Sequence, residues 1–491
     1  MLGKLKSLHI LSLSRSDITE LPTVVGDLEN LRLLDLSYCR DLRRIAHNLI
    51  QRLSNLEELY LHDCSSLKWA TENSYYSSYY SSLSELNSLP KLVVISLDIS
   101  SEHLLDGFVF RRLWSFDVCI GIKRERRYRK RRDLETCPIS RSLRINKSLD
   151  ACKQLFEDVE SLELDDVEGH PNLIPSLDLE FRKLTSLDLR RCHSMQCLID
   201  ASKQQVPITA FSNLRKLSLS RMFHLEEMCN APQREGFLQK LEEVIVSDCG
   251  EMQVLFPIAE LRSMEQEGPS RHLSLQSLKI VEIEGCNNLK YIFPMSVANS
   301  LGQLHTLKIK SCSQLEDIIQ DRQVAYKCLL QSLREVSLID LPQLKKTDVN
   351  GVLLTQSSLQ KLTVYNCPQL THFIISTTIQ VFEGDETNLN KEEEKVICLP
   401  QLRTLVLDEL PNLVSFSPVG YHFVFQPLRC LKVKGCPNIT TRFSVDSEKS
   451  VHAKTQASQS VDEIIVEEPA TAQETAWPIC SDLKRLKDML N

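Results

Sequence analysis

Seventeen cysteines and twelve histidines are the side chains in this sequence best suited to redox, metal or nucleophilic chemistry. Each of those chemistries needs a spacing. No two cysteines form a C-x-x-C pair, so a zinc site of common spacing is unsupported. A disulfide scaffold belongs to small secreted domains short of core, and a chain of 491 residues is not one; the thiols are expected to be free. No two histidines stand four apart, which removes H-E-x-x-H. No two of the 14 glycines are two or five apart, which removes G-x-G-x-x-G and the phosphate loop G-x-x-x-x-G-K-[ST]. G-x-S-x-G is also absent. The sequence therefore predicts no catalytic, metal-binding or cofactor-binding residue, no cofactor, and a chain that is not an enzyme.

The cysteines instead mark a repeat. The stretch Leu31, Leu34, Leu36, Cys39, Leu42 reads L-x-x-L-x-L-x-x-C-x-x-L. It returns at Leu56-Leu59-Leu61-Cys64, Leu184-Leu187-Leu189-Cys192 and Leu241-Val244-Val246-Cys249. Further copies follow at Leu278-Val281-Ile283-Cys286, Leu304-Leu307-Ile309-Cys312, Leu359-Leu362-Val364-Cys367 and Leu428-Leu431-Val433-Cys436. Other copies put Ser16, Met222, Leu341 or Leu410 in the cysteine slot. The slots at 286 and 312 lie 26 apart, whereas 249 and 286 lie 37 apart, where a loop is inserted. Alternation in L-x-L makes a short strand with one buried face. A single coil cannot bury that face alone, but stacked coils share a continuous core. The expected fold is an α/β leucine-rich-repeat solenoid: a curved horseshoe with parallel strands on the concave face and irregular loops and short helices on the convex face. In it the cysteine is a small buried hydrophobe. Leu307 and Ile309 should point inward, and Lys308 and Lys310 outward.

The array is expected to span 1–443 with about fourteen repeats, including weaker ones near 89–100, 113–120 and 159–167, and inserted loops near 68–85, 121–141 and 380–398. Residues 444–491 read as a polar tail of disordered composition, with a short C-terminal helix from Ser481. Residues 123–132 hold eight basic residues in ten, an exposed loop or a nuclear-import signal. Net charge is −7 and no run of 18 apolar residues occurs, so neither nucleic acid nor membrane is an expected partner. Asn146 and Asn438 match the glycosylation triplet, a pattern that arises often by chance.

A solenoid acts through its exposed strand face. The positions between and just after the core pair carry charge in bands: Asp165 acidic with Asp188, then Arg190, Arg191 and Arg221 basic, then Asp248, Glu282 and Glu284 acidic, then Lys308 and Lys310 basic. Tyr365 lies in a weakly charged stretch, followed by Asp408 and then Lys432 and Lys434. A nucleic-acid groove would be nearly uniformly positive; alternating bands suit a folded protein partner. These fourteen residues are the candidate partner-binding face.

The opening coil, with Leu8, Leu11, Leu13, Ser16, Ile18, Leu21 and Pro22, resembles the first repeats of plant nucleotide-binding, leucine-rich-repeat disease-resistance proteins of the coiled-coil class. The later Cys367-Pro-Gln-Leu370 and Cys436-Pro-Asn-Ile439, and the openings at Phe211 and Phe425, resemble that family too. The resemblance covers about residues 5–443. It implies the sensor domain of a cytoplasmic immune receptor, recognising a pathogen effector or a host protein. In that family a coiled coil and a nucleotide-binding module precede the repeats. Neither is present here, and with no polar cap before Leu5 the chain reads as truncated at its N-terminus; such a module would be a partner in cis or trans if the chain is a fragment. The competing reading is a substrate-recruiting adaptor such as a ubiquitin-ligase subunit, which would carry an F-box-like segment near one end.

Overall fold

The architecture comes from a computed structural model. It describes residues 2–70, 79–99, 113–121, 141–146, 158–177, 181–200, 210–229, 238–256, 274–294, 300–320, 332–345, 358–371, 395–415, 421–425, 428–447 and 450–455, with Phe156 and Val297 between them. The chain divides into two units, 1–456 and 457–491; the second lies outside the described residues, as do the basic run 123–132 and the expected C-terminal helix.

Sixteen strands form one parallel sheet in chain order, from Ile10–Ser12 to Cys430–Lys434. The chain is a leucine-rich-repeat solenoid. Each L-x-L becomes a strand whose two apolar residues turn inward: Leu307 is 2% and Ile309 1% exposed, and in Thr306–Lys310 they alternate with half-buried outward positions. Register is kept from coil to coil, with Leu307 between Val281 and Val336. One elongated core results, because each coil's apolar face is covered by its neighbours. The sixteen strands exceed the fourteen repeats expected, the undercount falling among coils without the cysteine slot.

Just past each strand the backbone turns left-handed, at Arg191, Arg221, Asp248, Gly285, Ser311, Asp340, Asn366, Glu409 and Gly435. This turn aims each amide at the next coil's carbonyl: Asp248 N to Glu284 O is 2.8 Å, Gly285 N to Lys310 O 3.0 Å, and Ser311 N to Ile339 O 2.9 Å. Glycine at 285 is favoured twice over. Its φ is +68°, and a Cβ there would lie 2.6 Å from the Asp248 carboxylate. The cysteine follows the turn, and its thiol donates to the carbonyl two residues back, as in Cys312 to Lys310 at 3.4 Å and Cys436 to Lys434 at 3.4 Å. A small side chain that can both bury and donate fits this slot.

On the side away from the long sheet, Cys197–Ile199 pairs with Glu227–Cys229, and Tyr291–Phe293 with Asp317–Ile319. Phenylalanines stack between coils there, Phe181 on Phe211 at 5.7 Å and Phe256 on Phe293 at 5.6 Å. Near the start the connections are short 3-10 turns, Thr23–Asp27, Ile50–Arg52 and Leu83–Ser88.

Three boundaries differ from the sequence expectation. In 68–85, read as a surface loop, Ser81 and Glu85 are buried. Glu85 accepts hydrogen bonds from the amides of Asn48 and Ser82 and from the Ser81 hydroxyl, so residues 81–85 pack as part of a coil. The insertion assigned to 380–398 ends in a strand, Lys395–Cys398. Residue 443 does not end the ordered array: Thr441–Val445 and Val451–Thr455 join Tyr421–Phe425 and Lys395–Cys398 in a four-stranded mixed sheet. Its core side chains Phe423, Phe425 and Ala453 are fully buried, and alternation alone, without a repeat motif, forms it.

Candidate functional site

Parallel register stacks the outward positions into two columns on the strand face. From the eighth strand onward the pairs are Asp188 and Arg190, Ser218 and Ser220, Ile245 and Ser247, Glu282 and Glu284, and Lys308 and Lys310. They continue as Ser337 and Ile339, Thr363 and Tyr365, Val406 and Asp408, and Lys432 and Lys434. Bands of opposite sign thus lie on adjacent strands about 4.8 Å apart, close enough to pair. They do pair. Arg190 contacts Asp188 at 2.5 Å and Glu163 at 3.6 Å, and Arg191 contacts Asp165 at 2.6 Å. Lys308 bridges Glu282 at 3.1 Å and Glu335 at 3.4 Å, while Lys310 meets Glu284 at 2.8 Å. Arg221 lies 3.8 Å from Asp248, and Lys432 pairs with Asp408.

Twelve of the fourteen candidate residues are therefore engaged with charges of the array itself; Tyr365 and Lys434 are outside these pairs. Asp408 departs further from expectation, being 4% exposed rather than out on the face, with the Lys432 ammonium on its carboxylate. Electrostatics follow the pairing. Burial alone would raise the Glu335 pKa, but the ammoniums of Lys361 and Lys308 outweigh it and hold the carboxyl below its usual range. Burial would lower that of Lys308, and Glu282 and Glu335 raise it instead. Exposed pairs contribute only about 0–1 kcal/mol each, so their effect is to fix coil register and to cancel the field of the face.

Cancellation leaves two uncharged patches. One is Ser218, Ser220, Ile245 and Ser247. The other is Ser337, Ile339, Thr363, Tyr365 and Val406, with Tyr365 at its centre. The Tyr365 hydroxyl bonds to Glu409; slight burial, then the carboxylates of Glu409, Asp340 and Asp408, raise its pKa above the usual phenol value. A void of about 10 Å³ lined by apolar residues including Leu198, Phe211 and Met228 sits within the core, room for one water at most. The sequence reading also missed Arg334, Arg403 and Arg429, because it counted only positions between and after the core pair. The signal was available two residues ahead of each first core residue.

The cysteines carry no site geometry. Among the described residues no cluster of His, Cys, Asp and Glu is fit to hold a metal. Burial pushes the thiols of Cys312 and Cys367 up to about 12 and that of Cys192 to about 11. Thiolate is the reactive form. Iodoacetamide at pH 8 is therefore expected to label these three more than about a hundredfold more slowly than a free cysteine, and at ordinary rates after denaturation. Mass spectrometry of the native protein checks this; rapid labelling of Cys312 would contradict its packing role.

Residues 129–267 and 259–313 match the family model for plant disease resistance protein RPS2-like leucine-rich repeats. The matched coils are similar to the leucine-rich repeats of that family. No curated protein matches this sequence. Among solved structures, the functional domain of InlJ from Listeria monocytogenes is 14% identical, covering 92% of this chain and 86% of that one with a TM-score of 0.38. The Leptospira interrogans leucine-rich-repeat protein LIC12759 is 15% identical over 75% and 81%, TM-score 0.31. The leucine-rich-repeat domain of the type III effector XopL is 14% identical over 61% and 76%, TM-score 0.27. Among the described residues, no helix is long and apolar enough to cross a membrane.

Proposed function

We propose that this array is the recognition domain of a plant intracellular immune receptor, binding a folded protein, a pathogen effector or a host protein, across its strand face. It acts by binding and not by catalysis, in the cytoplasm, alongside a nucleotide-binding module in cis or trans. The RPS2-like repeats at 129–313 support the receptor setting. The observation that carries the binding reading is the strand face itself: most of its charged side chains are paired within the array, and Ile339, Val406 and Tyr365 form an uncharged patch bordered by the carboxylates of Asp340, Asp408 and Glu409. A partner covering that patch strips water from Ile339, Val406 and an aromatic anchor. The self-paired bands on either side then form a polar rim, not the principal source of affinity.

Photo-crosslinking in leaf tissue tests this. A photoreactive residue replacing Tyr365 or Ser337 is expected to give a discrete protein adduct whose yield changes on pathogen challenge. The same residue at Gln253 or Lys290, exposed away from the long sheet, is expected to give none. Equal adducts from both sides, or none from the strand face, would overturn the reading.

A further inference from the structure

At the leading edge of the sheet, one position per coil lies two residues ahead of the first buried strand residue. Backbone bonds tie these positions into a column: His305 N to Lys279 O is 2.8 Å, Arg334 N to His305 O 2.7 Å, Gln360 N to Arg334 O 2.8 Å, Arg403 N to Gln360 O 2.8 Å, and Arg429 N to Arg403 O 2.8 Å. In earlier coils the column's charges cancel. Arg32 pairs with Glu57 at 2.8 Å, and Arg215 and Lys279 both meet Glu242, at 2.5 and 2.9 Å.

From His305 onward the acids stop. The column runs His305, Arg334, Gln360, Arg403, Arg429. All three arginines are exposed. Among the described residues none has a carboxylate at ion-pairing distance, although most cations on the neighbouring strand face are matched: Lys308, Lys310, Lys361 and Lys432 have acids, Lys434 does not. The flanking Gln303, Ser332, Ser358 and Gln401 add no acid. Partial burial and the fields of Arg334 and Lys279 hold the His305 pKa below its usual value. Like charges on adjacent strands are unfavourable, so Arg403 beside Arg429 gains nothing for the fold.

We propose that this strip binds an acidic stretch of the partner protein, an extended segment lying across the leading edge with carboxylates on Arg334, Arg403 and Arg429. The proposal rests on the reading of the array as a protein-binding scaffold and adds the chemistry of what it binds. Guanidinium forks suit carboxylates bidentately, and the Gln360 amide sits between them. From Arg334 to Arg429 the column crosses three strand spacings, roughly 14 Å, which an extended segment covers in about four or five residues. Two or three acids within that length would match it. A polypeptide fits better than nucleic acid because from Arg334 to Arg429 the strip carries no aromatic side chain on which bases could stack.

The test uses the full chain, a fluorescent peptide of alternating Glu and Gly, and a single-stranded oligonucleotide of equal charge, followed by anisotropy at about 50 and 150 mM salt. The peptide is expected to bind. Arg334→Glu, Arg403→Glu and Arg429→Glu together should weaken it by about tenfold or more. Reversal of three exposed cations elsewhere, Lys4→Glu, Arg43→Glu and Lys68→Glu, should change it less than about twofold. The milder pair Arg403→Gln and Arg429→Gln should weaken it in the same direction, so a folding defect in the triple variant does not decide the result. Equal loss from both triple variants, no peptide binding at the lower salt, or tighter oligonucleotide binding with the same sensitivity would overturn the proposal. Crosslinking at Tyr365 does not depend on these arginines, so the strip can fail while the strand-face reading stands.

Discussion

Leu307→Ala is expected to lower the stability of the array by about 2–5 kcal/mol, the range for large-to-small changes in a packed core. Leu307 is 2% exposed and is held in register between Val281 and Val336. Coils on both sides fix its surroundings, so the space left by the isobutyl group cannot close by collapse, and the loss should fall toward the upper part of the range. Lys308→Ala, one residue on, removes only half-exposed ion pairs and should cost about 1 kcal/mol or less. Urea melting of both variants, with hydrogen exchange to locate the weakened coils, reads the difference. Similar losses from the two would mean that the inward and outward positions have been misassigned.

That pair of residues also shows how far the sequence reaches. Leu307, Ile309 and Cys312 were legible because burial follows residue type at a fixed spacing, and the same rule placed strands wherever L-x-L recurred. It weakened where coils depart from the rule. Val94–Ile99 and Ser115–Ile120 each bury three alternate residues. Leu59 and Leu61 meet Ile95 and Leu97, whereas Leu143 and Ile145 meet Val118 and Ile120. The register thus steps by one alternation between these coils, and neither strand is followed by a cysteine in the repeat's slot, Cys119 lying within the second strand. The charged face was legible as bands but not as pairs. Lys308 finds Glu282 and Glu335 only after stacking brings residues 26 and 27 apart in sequence onto adjacent strands. The leading-edge arginines stand at a fixed place in sequence, two residues ahead of each first core residue, but the absence of acids beside them shows only once the coils stack.

Lys432→Met is the other change expected to have a large effect, about 1–3 kcal/mol of destabilisation. Asp408 is 4% exposed; the Lys432 ammonium contacts one of its carboxylate oxygens, and the other oxygen is buried without a partner. A carboxylate taken out of water is costly unless its charge is met. Methionine keeps most of the apolar stem but leaves that charge alone. Asp408→Asn in the same chain removes the stranded charge, so the double variant should melt above Lys432→Met, a coupling that a double-mutant cycle isolates. Simple addition of the two losses would show that the pair is not what holds Asp408 inside. The outcome also bears on recognition. If the coupling is found, Lys432 is committed to the fold and cannot be a principal contact for a partner, which leaves the neutral patch at Tyr365 and the unpaired arginines as the surfaces free to bind.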